Sequence, residues 1–477
     1  MSKNVRQFIE ALQKTGDIVR IKQEVDWDLE IGAIGRRAYE KSGPAILFEN
    51  IKDYPGHCIF SGMLGTFRRV AISMGLPPET PVKDIYAEYE RRIEHPIKPK
   101  IVKNALCKEN IVSEKDIDLY QLPVPYLHDG DGGRYIGTWA FEVTRDPDTG
   151  WQNWGMYRFM IHNKRYMVGW PRYSSHLGMV LHKKYVPAKK PMPIAMVIGA
   201  DPASNAVSTV SYGVGVDEAD YAGALNQEPM ELVKCETSDL LVPANAEIII
   251  EGEILPNQVA PEGPFGEYPG FRTEGIRSGV LYRVNRITYR NSPIFTTIQL
   301  GVPPDDSSIV ASMTAAVAMK HRLIRHGVPV TDVYAPPEAV THLVVVGVKQ
   351  GGSKIVEQVK DVFLSGRRVD VNKVVVVDEE NVFDYAAVTH ALATKCHPLH
   401  GISITPVEDG KGNALTPCYS AQERRAHKGG LVVFDCTWPA EWSRWNQVPV
   451  RNSFDVMYGQ KLKDKVIANW KKYGFKE

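Results

Sequence analysis

Apolar residues recur at helical spacing at Val5, Phe8, Ile9 and Leu12, so residues 5–14 predict an amphipathic helix, stopped by Gly16-Asp17. Residues 18–21 predict a strand, 28–41 a second helix and 45–48 an apolar strand. Residues 60–76 predict a strand end running into a helix. This opening stretch reads as a small α/β unit. The segment His95-Pro-Ile-Lys-Pro-Lys100 is held extended by its prolines and reads as a linker.

From about residue 116 the pattern changes. Strands are predicted at 135–144, 155–162 and 165–170, with hairpin turns at 146–150 and 162–164. A helix follows at 174–184, a strand at 194–198, a short helix at 217–225, and strands at 246–254 and 280–298. Strands with so few helices between them predict an antiparallel barrel or sandwich. Residues 305–326 carry the longest helical pattern, with Asp305, Asp306 and Ser307 placed to cap it and Gly327 to end it. Strands at 340–348 and 373–378 then alternate with helices at 353–364 and 382–395, an α/β pattern. A polar helix at 461–473 carries Leu462, Val466, Ile467 and Trp470, as helices that dock on a partner subunit do.

Composition excludes more than it selects. The 477 residues are 43% hydrophobic and 24% charged, and the net charge is +1. That balance gives no electrostatic case for a nucleic-acid or anionic-membrane partner. No run approaches the ~18 apolar residues of a membrane span. The N-terminus lacks the apolar core of a secretory signal. Six cysteines without Cys-x-x-Cys spacing predict a cytoplasmic protein with reduced thiols. No dinucleotide fingerprint, phosphate loop, His-Glu-x-x-His or nucleophile elbow is present.

The chemistry concentrates in Glu262-Gly-Pro-Phe-Gly-Glu267. Two carboxylates sit in a stretch shaped by Pro264, Gly263 and Gly266, which reads as a loop rather than a helix or strand. Loops that present carboxylates suit proton transfer, and surface turns carry them as well. Arg158 lies in the stretch predicted as a strand, flanked by Tyr157 and Phe159, and an arginine there needs an acidic partner.

The loop resembles the acidic loop of the UbiD family, reversible decarboxylases that use prenylated FMN. The resemblance extends through Trp151-Gln-Asn153-Trp-Gly-Met-Tyr-Arg158, His176, Gly215-Val-Asp-Glu218, the segment from Val233, and the closing Val466-Ile-Ala-Asn-Trp-Lys-Lys-Tyr-Gly-Phe. It covers essentially the whole chain and is strongest toward the ferulic acid decarboxylase branch. It implies an N-terminal α/β domain (1–115), a flavin-binding split β-barrel (116–304), a linker helix (305–327) and a C-terminal α/β oligomerisation domain (328–477). The assembly it implies is a homodimer or homohexamer.

The resemblance also implies the site. Asn153, His176 and Glu218 would hold Mn2+ (or a related divalent ion) against the cofactor phosphate, a mixed oxygen and imidazole set suited to such ions. Trp151 would contribute its carbonyl to a K+ site. Gly155, Met156, Tyr157, Arg158 and Ser175 would line the cofactor. Where the ferulic branch has a phosphate-contacting lysine this chain has Gly366, with Arg367 and Arg368 beside it, either of which would stand in, Arg367 being the one placed in the cofactor set. Arg158 would pair with Glu262 and face the substrate carboxylate. Glu267, its pKa raised in an apolar pocket, would donate the proton.

The implied reaction is non-oxidative, reversible decarboxylation of an aromatic or α,β-unsaturated acid through a covalent cofactor–substrate adduct. A flavin prenyltransferase would supply the cofactor. The alternatives are a heteroaromatic acid decarboxylase or carboxylase, and a flavin-binding protein without decarboxylase activity.

Overall fold

The computed structural model describes residues 3–272, 275–366, 368–408, 410–442 and 447–476. Helix Val5–Thr15 forms where its spacing demands. Val5, Phe8, Ile9 and Leu12 are all buried, Asn4 caps it by accepting from the Gln7 amide, and Gly16 closes it at φ +77°. The first sheet has the order Ile18–Ile21, Ala45–Phe48, Cys58–Ser61, Ile294–Thr297. Its last strand returns from far along the chain to pair in parallel with Cys58–Ser61. The single strand expected at 280–298 is therefore two. Ser292, at φ +49°, turns the chain out of strand Arg277–Tyr289 and into this sheet. Helix Val82–Ile93, absent from the sequence reading, buries Ile85, Tyr86 and Tyr89.

The central antiparallel sheet positions the site. Its order is Gln152–Gly155, Ala140–Arg145, Met192–Ile198, Ile248–Glu262, Arg277–Tyr289, Tyr166–Gly169, Phe159–Ile161, with Asn110–Val112 also pairing Arg277–Tyr289. The first and last strands on this path are consecutive in sequence. Only residues 156–158 join them, a reach of about 14 Å. The sheet must curl until its two edges approach, yet among the described residues those edges do not pair. The last strand instead meets the segment just ahead of Ala140–Arg145, where Tyr135 bridges Met160 and the Ile136 and Ile161 amides donate to the Phe159 and Arg134 carbonyls at 2.9 Å, so the barrel expected from the sequence is a curled antiparallel sheet whose ends meet through an isolated bridge rather than a strand ladder. The strand expected at 155–162 is split by the same seam. Trp154 stacks on Phe141 at 4.9 Å between ring centroids, and Phe159 meets Tyr282 edge-on at 5.7 Å, so bulky aromatics fill the interior.

Helix Asp306–Arg325 starts in a capping box made by Asp305 and Ser308. Beyond it a five-stranded sheet runs Val330–Tyr334, Leu343–Val348, Lys373–Val377, Gly429–Cys436, Ile402–Val407. Helices Ser353–Leu364 and Tyr385–Thr394 accompany it. Three of these strands, Val330–Tyr334, Gly429–Cys436 and Ile402–Val407, were not read from the sequence. The terminal helix Gln460–Asn469 leaves Leu462 and Ile467 exposed. No helix among the described residues is long and apolar enough to cross a membrane.

Candidate active site

Arg158 lies in the seam rather than on a strand, because the strand Gln152–Gly155 ends before it and Phe159–Ile161 begins after it. Glu262 likewise is no loop residue. It ends strand Ile248–Glu262, in register with Arg277, and is fully buried. Arg158 Nη2 donates to Glu262 Oε2 at 2.9 Å. The other edge of the same guanidinium, Nη1, contacts Glu267 Oε1. The expected division, with Arg158 on Glu262 and Glu267 in apolar surroundings, gives way to one guanidinium gripping both carboxylates. A planar fork with donors on two edges permits this.

The rest of the acidic loop is pinned from outside. Gly263 takes φ +88°, a conformation L side chains resist. The Gly132 amide donates to the Pro264 carbonyl at 2.7 Å, and the Gly266 amide to Asp131 Oδ1 at 3.0 Å. His128 Nδ1 sits 2.9 Å from the other oxygen of Asp131. The Tyr135 hydroxyl donates to Glu262 Oε1 at 2.8 Å, and burial pushes that phenol upward. Phe265 packs on the Tyr135 ring at 4.1 Å and beneath Arg158 at 5.6 Å. Asp131, His128 and Tyr135 went unread in the sequence. The signal was the glycine-rich run His128-Asp-Gly-Asp-Gly-Gly133, which only its packing shows to be a clamp.

Asn153, His176 and Glu218 do converge. Each sits at a place the local sequence explains: Asn153 on the edge strand, His176 and Glu218 as first residues of helices His176–Val180 and Glu218–Asn226. Asn153 Nδ2 donates to Glu218 Oε1 at 3.0 Å and lies 3.3 Å from His176 Nδ1. The Trp154 amide donates to Glu218 Oε2 at 2.8 Å. Glu218 is fully buried, and burial pushes its carboxyl up to about 8. Among the described residues no lysine or arginine forms an ion pair with it. A buried carboxylate beside an imidazole and an amide, without a cationic side chain, is a donor set that fits a divalent cation. The Asn153 amide would then have to turn its oxygen inward. Trp151 is buried edge-on to His176 at 5.1 Å, and its carbonyl accepts from the Asp146 amide at 2.9 Å.

A cavity of about 400 Å3 is bordered by Arg158 and Glu267, and reaches the Asn153 group through Tyr157, whose hydroxyl lies 3.5 Å from Asn153 Oδ1. Of the expected residues, Met156, Tyr157, Arg158, Ser175 and Glu267 line it. Gly155, Asn153, His176, Glu218 and Glu262 stand behind that lining. Gly155 acts by close approach, since a Cβ there would lie 2.6 Å from the Tyr157 ring. The Tyr157 hydroxyl in turn accepts from the Leu177 amide at 3.1 Å, tying the lining to the His176 helix. Arg367 falls outside the described residues. Its neighbour Arg368 is the one seen to line the cavity, as does Tyr268, which directly follows Glu267 in the sequence and is expected from that place to shape the pocket, and Trp170 and Arg172 join them there unforeseen.

Three domain families match the chain in order. They are the 3-octaprenyl-4-hydroxybenzoate carboxy-lyase N-terminal domain over residues 9–89, its Rift-related domain over 100–303, and its C-terminal domain over 308–436. Pyrrole-2-carboxylic acid decarboxylase of Pseudomonas aeruginosa is 32% identical over 98% of this chain and 98% of its own. The chain belongs to the UbiD family. It is a carboxy-lyase of the UbiD decarboxylase type. Ferulic acid decarboxylase 1 of Saccharomyces cerevisiae is also 32% identical, over 99% and 98% of the two chains. Vanillic acid decarboxylase of Sedimentibacter hydroxybenzoicus, in closed form, superposes with a TM-score of 0.89 at 30% identity over 99% of each chain. An evolved dimeric form of the UbiD-class enzyme HmfF from Pelotomaculum thermopropionicum, in complex with prFMN, superposes at 0.79 with 29% identity, over 94% of this chain and 97% of its own.

Proposed function

We propose that the chain decarboxylates an aromatic or α,β-unsaturated carboxylic acid, without net oxidation and reversibly, using prenylated FMN. The observation that carries this is the Arg158 guanidinium gripping Glu262 and Glu267 at the wall of a 400 Å3 cavity. Asn153, His176 and Glu218 would hold Mn2+ or a similar ion for the cofactor phosphate, with K+ near Trp151. Met156, Tyr157 and Ser175 would line the ring system. When bound, the prenylated flavin supplies an electron sink for the pair of electrons left by departing CO2.

The chain's own residues do the rest. Glu262 is sealed behind the lining and held by Tyr135, so it serves as the fixed counter-charge of Arg158. Glu267 faces the cavity and is the carboxylate that can meet substrate. A substrate carboxylate arriving at Arg158 Nη1 competes with Glu267 for that donor. Released from the guanidinium among apolar neighbours, Glu267 takes up a proton. It then delivers that proton to the carbon that carried the carboxylate. CO2 leaves, a C–H bond replaces the C–C bond, and solvent reprotonates Glu267.

Under this reading residues 1–115, 116–304, 305–327 and 328–477 are the N-terminal, flavin-binding (split-barrel), linker and oligomerisation units of a cytoplasmic homodimer or homohexamer. A flavin prenyltransferase supplies the cofactor. The kinship with a pyrrole-2-carboxylic acid decarboxylase supports a heteroaromatic acid as the second reading.

The test is native mass spectrometry of protein co-expressed with a flavin prenyltransferase, followed by weighing the released ligand. Prenylated FMN supports the proposal. Protein that takes up no flavin sinks it. Cinnamic, pyrrole-2-carboxylic and furoic acids tried side by side then separate the two substrate readings.

A further inference from the structure

A second cavity, of about 590 Å3, lies apart from the candidate active site and shares none of its lining among the described residues. It opens between the paired strands Asn110–Val112 and Arg277–Tyr289, the turn at 53–57 and the segment 118–122. Its walls are Tyr54, Tyr120 and Tyr289, with Leu122 and Ile287 beside them. That size falls among small-molecule sites, which span about 300–1,000 Å3. Two of the walls are held from behind. The Tyr54 hydroxyl donates to the Tyr120 carbonyl at 2.8 Å and accepts from Arg134 Nη2 at 2.7 Å. Arg134 Nε donates to the Val124 carbonyl at 2.6 Å, and the guanidinium lies over the Trp27 ring at 4.3 Å. A wall fixed in this way loses little freedom when a ligand arrives.

The charged groups of the lining have one sign. Asp53 and Asp118 line the cavity, and among the described residues no lysine or arginine does. Lys164 reaches Asp118 at 2.8 Å, but its side chain is 71% exposed, and a pair so open to water offsets little. The cavity beside Arg158 has the opposite bias, with Arg158, Arg172 and Arg368 in its lining against the carboxylate of Glu267.

We propose that the 590 Å3 cavity binds a neutral aromatic molecule carrying an O–H or N–H donor, a phenol or a pyrrole, and turns away the corresponding carboxylic acid. The ring lies among the tyrosines, where edge-on and offset contacts between aromatic rings add to the area they bury. Its donor meets Asp53 or Asp118 in a charge-assisted hydrogen bond. A carboxylate in the same place faces both aspartates with only the exposed Lys164 to offset them, and like charges brought together cost affinity. Phenols and pyrroles are what hydroxyaryl and pyrrole acids become when hydrogen replaces the carboxylate, so the two cavities sort acid from product. Calling the ligand a product rests on the decarboxylase reading; the selectivity of the lining does not.

The experiment is methyl NMR on the full chain purified with plain FMN and labelled at isoleucine and leucine. Ile287 and Leu122 report on the cavity, their signals assigned through Ile287→Val and Leu122→Met. His57 also lines it, so titrations run at pH 8, above the usual imidazole range. The probes are phenol with 4-hydroxybenzoate, and pyrrole with pyrrole-2-carboxylate. At least one arene should shift both signals saturably, with a Kd on the order of 1 mM for so small a ligand. Its acid should bind there about tenfold or more weakly. Tyr120 is 41% exposed, and Tyr120→Ala should weaken the arene about two- to tenfold while Tyr120→Phe keeps it.

No saturable shift with either arene overturns the proposal, and needs no variant to fold. Acid and arene binding there alike also overturns it. Signals that move when the protein is diluted, and not with arene, overturn it in favour of a contact between copies of the chain. Saturable arene binding on a chain that turns over no acid would leave the site standing and sink only the reading of its ligand as a product.

Discussion

Replacing Arg158 with leucine strands two carboxylates. Glu262 is fully buried and, among the described residues, keeps the Tyr135 hydroxyl as its side-chain hydrogen-bond donor, with Arg277 acting on it through its charge. Glu267, about 8% exposed, loses its contact with the guanidinium as well. Removing one partner of a buried ion pair costs about 3–5 kcal/mol, because the remaining charge is left uncompensated. Most of that belongs to Glu262, since Glu267 borders a cavity that water can enter. The loss of the Arg158 contact with Phe265 adds about 0.5–1 kcal/mol. Urea denaturation at pH 7.5, followed by tryptophan fluorescence, should therefore show Arg158→Leu destabilised by roughly 3–5 kcal/mol.

The sign of the pH dependence is a second check. Protonating a stranded carboxylate removes its charge, so the penalty should shrink as pH falls toward 5. Adding Glu262→Gln to Arg158→Leu should recover about 1–3 kcal/mol, since the amide carries no charge to strand. A penalty below about 1 kcal/mol at pH 7.5, or one that grows as pH falls, would refute the account of Arg158 as the shared counter-ion.

Other outcomes follow from the same geometry. Glu267→Gln should lower turnover by about 10²–10⁴-fold while flavin, weighed by mass spectrometry, stays bound; retained turnover would remove Glu267 as proton donor. Glu218→Gln and stripping with a chelator should each cut flavin occupancy, and Mn2+ should restore it only in the wild type. Asp305 is buried, and burial, with its neighbour Asp306 adding to it, raises its carboxyl to about 6. Stability tied to its protonated form is present below about pH 4 and lost as pH rises through about 6. Asp305→Asn keeps a capping oxygen without the charge, so between pH 4 and 7 it should gain up to about 3 kcal/mol on the wild type, read by urea melts.

The sequence alone sufficed for elements whose reasons are local. Val5, Phe8, Ile9 and Leu12 mark one helix face because a helix brings residues three and four apart together. Helix Ser353–Leu364 and the cap at Asp305 follow from neighbours in the chain. Asn153, His176 and Glu218 were legible through a family resemblance, not from spacing, since nothing in the order of residues requires them to meet. What tertiary structure decided depends on register and closure. A three-residue seam between two sheet edges moved Arg158 off a strand, and pairing with Arg277 moved Glu262 onto one. Arg158 thereby reached both carboxylates, where sequence reasoning assigned it one. Arg172 and Arg368 stand on separate sheets' connections, and only folding sets their charges on one cavity. Local pattern reports short-range sterics and burial, whereas the meeting of distant charges depends on how the sheet curls and which loops close over it.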